Sequence, residues 1–389
     1  MEVIDMNKLP HTTLRATALL MAAFLAVGCA GAGQNGTPIP ATVQPRTGAP
    51  AASAANGPTS GNPTSGGALP SQSASNTPRG SSPSAIAVAS STPPAGIPPT
   101  TVADIPQEPA LNVSWEATGP NPGQACTADP TIDAQGRLWI IACWKSALWI
   151  ISAGGKHVEE WTGTTDSPFD FVWGAGDDSM GGTAFAPDGS FYTYEAGSLR
   201  VQHFSADRRL LGSWGSFGRG DGQFAKPTAI ATDGNGNVYV ADASRNDVQV
   251  FDSTGALIRK VAEHVNQGGF GYMAVAGDGS LYLDALYEGK RAILRYDATG
   301  TLNGAYDLSA AASDLAGLAI SSDGHLFVSG YDASTDSPKA TLELDPVTGT
   351  LVHHWPATGE MFTYDAASNA LDVTSYDWTF ARQYALPAD

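Results

Sequence analysis

Residues 227–242 read Pro-Thr-Ala-Ile-Ala-Thr-Asp-Gly-Asn-Gly-Asn-Val-Tyr-Val-Ala-Asp, and Val248-Gln249-Val250-Phe251-Asp252-Ser253-Thr254-Gly255-Ala256-Leu257 follows. Each half is an apolar run, a short turn carrying glycine, and a second apolar run. Glycine supplies the positive φ that tight hairpins need. The stretch therefore predicts two consecutive hairpins, or four short antiparallel strands.

The first hairpin recurs along the chain. Its copies are Thr131 to Trp139 around Gly136, Ala184 to Tyr192 around Gly189, Ala274 to Tyr282 around Gly279, and Leu318 to Phe327 around Gly324. A weaker sixth copy runs from Phe362 to Val373 with Asn369 at the turn. The turn residues are spaced 53, 47, 43, 45 and 45 apart. A period in the forties, with four strands per period, predicts an all-β six-bladed β-propeller of four-stranded antiparallel blades. The second hairpin also returns, ending on an aromatic at Trp161, Trp214, Tyr306 and Trp355, rings expected to pack between neighbouring blades. The last copy lacks a fourth strand. Leu111-Asn112-Val113-Ser114-Trp115 has the matching form, so the ring is expected to close by its N-terminal strand, pairing two otherwise open edges. A β-sandwich would not predict six copies in one phase with a complementary half-copy at each end.

Gly218-Arg219-Gly220-Asp221-Gly222-Gln223-Phe224-Ala225-Lys226-Pro227, with Asn237 to Asp242 and Val248 to Phe251, resembles an NHL repeat. The other copies keep the turn residues and aromatics without the glycine-rich lead-in. The resemblance implies a propeller over residues 111–389. NHL propellers serve as protein-, glycan- or RNA-binding surfaces, and relatives of the same architecture include calcium-dependent lactonases and amidating lyases. Fold alone does not choose among these.

Ahead of the repeats, Lys8 and Arg15 precede an apolar run from Ala16 to Val27, the layout of a secretory signal over residues 1–28. Leu25-Ala26-Val27-Gly28-Cys29 resembles a bacterial lipobox, although Ala26 stands where that pattern prefers leucine. The resemblance implies export to the cell envelope and a membrane contact made only through acylated Cys29. Residues 29–110 read as a disordered tether. From 30 to 110 there is no Phe, Trp or Tyr, and fifteen of the 26 prolines fall there with four charged residues. Such a stretch buries too little apolar surface to offset its ordering entropy, and its coil length is roughly 50 Å.

The chain carries a net charge of −18, and 34 of its 38 acidic and 16 of its 20 basic residues fall after Ala110. The folded region itself is acidic, which argues against a nucleic-acid partner. Cys126 and Cys143 flank the first predicted hairpin and are expected to form a disulfide in an oxidising compartment. No Cys/His spacing suggests zinc.

Candidate binding residues lie on the rim opposite the Asp-Gly turns, where loops on a rigid scaffold carry sites. They are Trp144, Glu195, Asp242, Tyr272, Asp284, Tyr331 and Trp378. Asp129, Glu195, Asp242 and Asp284 form a candidate calcium set at the channel mouth, because calcium takes six to eight oxygens. The competing reading has Asp242 bonding its own turn and Glu195 and Asp284 as solvated rim charges. His157, His203, His353 and His354 fall in second hairpins, with His264 and His325 in or beside loops, so no convergent histidine cluster is expected. No Gly-x-Ser-x-Gly elbow occurs. The expectation is a non-enzymatic, envelope-tethered module that binds a protein or glycan on one rim. Its alternative is a calcium-dependent lactone or ester hydrolase resembling the gluconolactonase family.

Overall fold

The computed structural model describes residues 100–101, 106–117, 127–142, 146–156, 158–171, 181–263, 271–321, 324–332, 337–375 and 380–387. All lie in the compact unit Ala89–Asp389. Cys29, Cys126, Cys143, Trp144 and Trp378 fall outside the described residues, as does the side chain of Asp129.

Two strands precede the repeats, β1 (Thr100–Thr101) and β2 (Asn112–Ala117). Blade 1 contains β3 (Thr127–Ile132), β4 (Leu138–Ala142), β5 (Ala147–Ile151) and β6 (Val158–Trp161). A small ribbon, β7 (Gly163–Thr164) with β8 (Ser167–Pro168), leads to blade 2. That blade holds β9 (Gly182–Phe185), β10 (Phe191–Glu195), β11 (Arg200–Phe204) and β12 (Leu210–Trp214). Blade 3 is β13 (Pro227–Thr232), β14 (Val238–Asp242), β15 (Asp247–Phe251) and β16 (Leu257–Val261). Blade 4 is β17 (Met273–Val275), β18 (Leu281–Tyr287), β19 (Lys290–Tyr296) and β20 (Leu302–Asp307). Blade 5 is β21 (Asp314–Ile320), β22 (Leu326–Asp332), β23 (Ser337–Leu344) and β24 (Leu351–Pro356). Blade 6 takes β25 (Met361–Asp365), β26 (Ala370–Thr374) and β27 (Ala381–Ala385) from the C-terminus and β2 from the N-terminus.

The closure expected from the sequence is present: β2 runs antiparallel to β27, with Val113 opposite Tyr384 and Trp115 opposite Gln383. The six turn residues hold the phase. Gly136, Gly189, Gly236, Gly279, Gly324 and Asn369 all have positive φ, from 45° to 101°. Aspartate completes these turns by accepting backbone N–H groups. Asp133 takes those of Gln135 and Arg137, and Asp233 those of Asn235 and Asn237. Asp252, Asp297 and Asp345 do the same in second hairpins. Their carboxyls are held below the usual range, with N–H and hydroxyl donors outweighing slight burial. Much of the acidic excess is thus spent on turn chemistry.

Side chains alternate along each strand, so both faces of a blade reach a neighbour. Between blades 1 and 2, Trp139, Trp161, Phe169, Phe171, Phe191 and Phe204 form one cluster, with Arg208 over Trp139 and Trp161. The fourth-strand aromatics sit on the next blade. A Cβ placed on Gly255 would fall 2.6 Å from the Trp214 ring, and one on Gly349 would overlap Tyr306. Trp115 bears on Gly155 of blade 1 in the same way, so β2 supplies the missing strand and also the missing inter-blade ring.

Ordered contacts begin before Leu111. Thr100 and Thr101 pair in parallel with Tyr306 and Asp307 on the outer edge of blade 4. The Glu108 amide donates to the His354 carbonyl at 2.7 Å, and Glu108 Oε1 lies 2.7 Å from His353 Nδ1. The segment therefore touches the outer strands of blades 4 and 5 before entering blade 6.

Gly154 and Gly155 provide a matched test of closure. Both have left-handed φ, +78° and +74°, but a Cβ on Gly154 meets nothing while one on Gly155 falls 2.5 Å from Trp115. Gly154→Ala is expected to cost about 1–2 kcal/mol for the backbone alone. Gly155→Ala is expected to cost a further ~1–3 kcal/mol from overpacking. Equal denaturant midpoints for the two variants would show that Trp115 does not fasten the ring.

Candidate functional site

The inner strands of all six blades line a central channel with a cavity volume of about 240 Å³. Its polar side chains are hydroxyls, chiefly Thr131, Thr183, Thr232, Thr363 and Tyr272, among apolar residues such as Ile230 and Met361. No charged side chain lines it among the described residues. Thr232 donates to the Phe185 carbonyl at 2.6 Å, whereas the buried Thr183 hydroxyl has no hydrogen-bond partner.

The three described carboxylates of the candidate calcium set fall on blades 2, 3 and 4, and each is buried. Asp242, at the end of β14, is fully enclosed and bonds its own turn as one reading of the sequence expected. Its oxygens accept from the backbone amides of Ser244 and Arg245 and also from those of Ala225 and Lys226, at 2.6–3.1 Å. One side chain thereby ties the β14–β15 turn to the segment arriving from blade 2. Beside it, Asp247 is ion-paired with Arg245, yet burial pushes its carboxyl up.

Glu195 and Asp284 correct the expectation of solvated rim charges, being 0% and 1% exposed. Glu195 accepts from the Ser198 hydroxyl at 2.7 Å, Arg200 Nε at 2.7 Å and the Gln202 amide. Asp284 does not lie at a strand end, because β18 continues to Tyr287. Counted from the turn residue, Glu195 and Asp242 stand six places along while Asp284 stands five. In a strand of period two, that single residue turns Asp284 to the opposite blade face.

The environment of Asp284 is unlike the other two. Neither carboxyl oxygen has a hydrogen-bond partner, and the nearest cation, Arg291 Nη1, lies 3.5 Å from Oδ1. A Cβ on Gly271 would come within 2.5 Å of Oδ2. Burial pushes the carboxyl up to about 7, opposed by Arg291 and reinforced by Asp314. Arg291 and Asp314, which sequence reading passed over, are themselves ion-paired. Tyr272 is half-buried at the channel wall, its carbonyl accepting the Asp284 amide at 2.9 Å. Tyr331 is half-buried near the end of β22, its carbonyl accepting from Ser313.

Among the described residues, no three His, Cys, Asp or Glu side chains come together in a way that could hold a metal ion. The described carboxylates, Glu195, Asp242 and Asp284, are not arranged to hold calcium. Moving Glu195 or Asp242 onto an ion would strip buried donors of their acceptors, and Asp284 alone offers two of the six to eight oxygens required.

Residues 224–251 match the NHL repeat, a stretch that covers β13, β14 and β15 of blade 3. Protein lin-41 of Caenorhabditis elegans is 46% identical over 48 residues, 12% of this chain and 4% of that protein, so the chain spans a small part of that relative. A gluconolactonase from Xanthomonas campestris superposes with a TM-score of 0.51 at 15% identity, over 73% of this chain and 99% of the other. A chain of the mitotic checkpoint complex gives 0.50 at 11% identity, over 74% and 100%. At these identities the structural likeness is one of fold. With six blades in register and the repeat in the third, the chain is an NHL-repeat-bearing six-bladed β-propeller.

Proposed function

We propose that this protein is an envelope-tethered, non-enzymatic binding module that offers one rim of the propeller to a protein or glycan partner. The observation that carries the reading is the use made of Asp242. Four backbone amides converge on it, so the carboxylate fixes the shape of two rim loops instead of facing a reacting atom. Glu195 serves blade 2 similarly through Ser198, Arg200 and Gln202. A rim with preset loops loses little conformational entropy on association. Tyr272 and Tyr331 contribute aromatic surface suited to protein recognition. The protein-complex setting of one fold relative is compatible with a protein partner, and the resemblance of Leu25 to Cys29 to a lipobox supports the envelope placement.

Hydrolysis is the second reading, and Asp284 favours it. A buried carboxyl with unpaired oxygens, pushed up to about 7, holds or yields a proton near neutral pH.

Asp242→Ala is expected to cost about 3 kcal/mol or more in denaturant unfolding, because several buried amides lose their acceptor at once. A loss under 1 kcal/mol would remove the scaffolding role. For partner contact, photo-crosslinking residues placed at Tyr272 and Tyr331 of the full chain in intact cells should yield discrete adducts. Placed at Thr254 and Thr299, in turns at the other end of the blades, they should not. Adducts of equal yield at both ends would defeat the one-rim assignment. Calorimetric titration of the full chain with calcium should show no binding heat. Sub-millimolar binding that disappears in Asp284→Ala would put the hydrolase reading first.

A further inference from the structure

The seam where blade 6 meets blade 1 is built differently from its neighbours. Along β26, Leu371 and Val373 join Phe327, Trp355, Phe362 and Tyr384 in the core between blades 5 and 6. By strand alternation, Ala370, Asp372 and Thr374 face blade 1. Thr363 and Asp365 of β25 and Gln383 of β27 lie in register on that same face. Across from them blade 1 presents Leu138, Ile140, Trp149 and Ile151, which draw only Ala117, Ala381 and Trp115 of blade 6 into their cluster. A polar blade face meets an apolar one.

Asp372 stands where the other blades carry a ring. Three residues past the turn, blades 1 to 5 have Trp139, Tyr192, Tyr239, Tyr282 and Phe327. In blades 1 and 3 that ring also donates to the carboxylate capping its own turn, Trp139 Nε1 to Asp133 at 2.7 Å and the Tyr239 hydroxyl to Asp233 at 3.3 Å. In blade 6 the capping acid is Asp365, which accepts from the Ala367 amide and the Ser368 hydroxyl. The ring that would face it is replaced by a second carboxyl. Asp372 is 0% exposed, and the Gln383 amide reaches it only at 3.4 and 3.5 Å while also reaching Asp365 at 3.3 Å. Two residues further along, the buried Thr374 hydroxyl has no partner.

We infer that the blade 6–blade 1 seam is a proton-controlled latch: neutral Asp372 lets the ring close, and its ionisation beside Asp365 loosens the seam and frees β2. Burial, with Asp365 adding to it and Gln383 opposing, pushes the Asp372 carboxyl up to about 7. No counter-charge faces it among the described residues. Arg382 of β27 is paired with Glu116 of β2 at 2.6 Å, Glu160 on blade 1 accepts from Trp149, and Lys156 is exposed in a turn. The closed seam therefore retains a proton that an opened, hydrated Asp372 would release at ordinary carboxylate pH. Closure is strongest below about pH 4 and weakens as pH rises from there to about 7, the opposite sense to the turn aspartates.

Amide hydrogen exchange on the full chain tests this without a variant. After correction for intrinsic rates, opening of residues 112–117 and 381–385 should increase by up to on the order of a hundredfold between pH 5 and pH 8. Residues 238–242 and 247–251 of blade 3 should rise less, because burial also pushes Asp247 up there but the Arg245 ion pair opposes it. Asp372→Asn should flatten the seam response and leave the seam at pH 8 at least as protected as the unmodified chain at pH 5. Asp284, the other carboxyl near 7, is common to both proteins and cancels. An equal rise in blade 3, no rise at the seam, or an undiminished response in Asp372→Asn would each overturn the latch. Should the variant not fold, the seam-against-blade 3 comparison in the unmodified chain decides.

Discussion

The pairing of β2 with β27 is the constraint on which the architecture depends. Blades 1 to 5 each have four consecutive strands of their own, whereas blade 6 takes one of its four from the other end of the propeller. A ring gains its cohesion when every blade has two neighbours, and this ladder completes the outer part of the last interface, whose inner part is β25 packed against β3. Without it, β27 and β2 would be open edges and Trp115 would leave Gly155 bare.

That ladder also explains how different kinds of residue are used. Apolar and aromatic side chains are concentrated between blades, where Trp139, Trp161 and their neighbours fill one interface. Aspartates are concentrated at turns, where each supplies acceptors to amides that no strand can satisfy.

The fold was legible because its signals are local and repeated. Gly236 and its five counterparts mark turns by a backbone requirement, and even Asn369 adopts the positive φ its position demands. The closing strand was legible from the incompleteness of the last copy. The rim was legible only in part. Asp242 could be assigned to its turn, but its amides from Ala225 and Lys226 depend on where the preceding blade delivers the chain. Burial of Glu195 and Asp284 depends on neighbouring loops that no periodicity encodes. For Asp284 a usable sign was present: its distance from Gly279 is one residue short of the Gly189–Glu195 and Gly236–Asp242 spacings, enough to place it on another face. Asp372 was equally visible as the lone acid in a column of rings.

The parallel pairing of Thr100 and Thr101 with blade 4 has a mechanical meaning. Any pull arriving along the N-terminal segment meets this short ladder first, then the Glu108 contacts on blade 5, and only afterwards the strand that completes the circle. A two-residue ladder should yield before the six-residue strand does. The two-residue ladder on blade 4 thereby stands, along the chain, ahead of the strand that completes the circle.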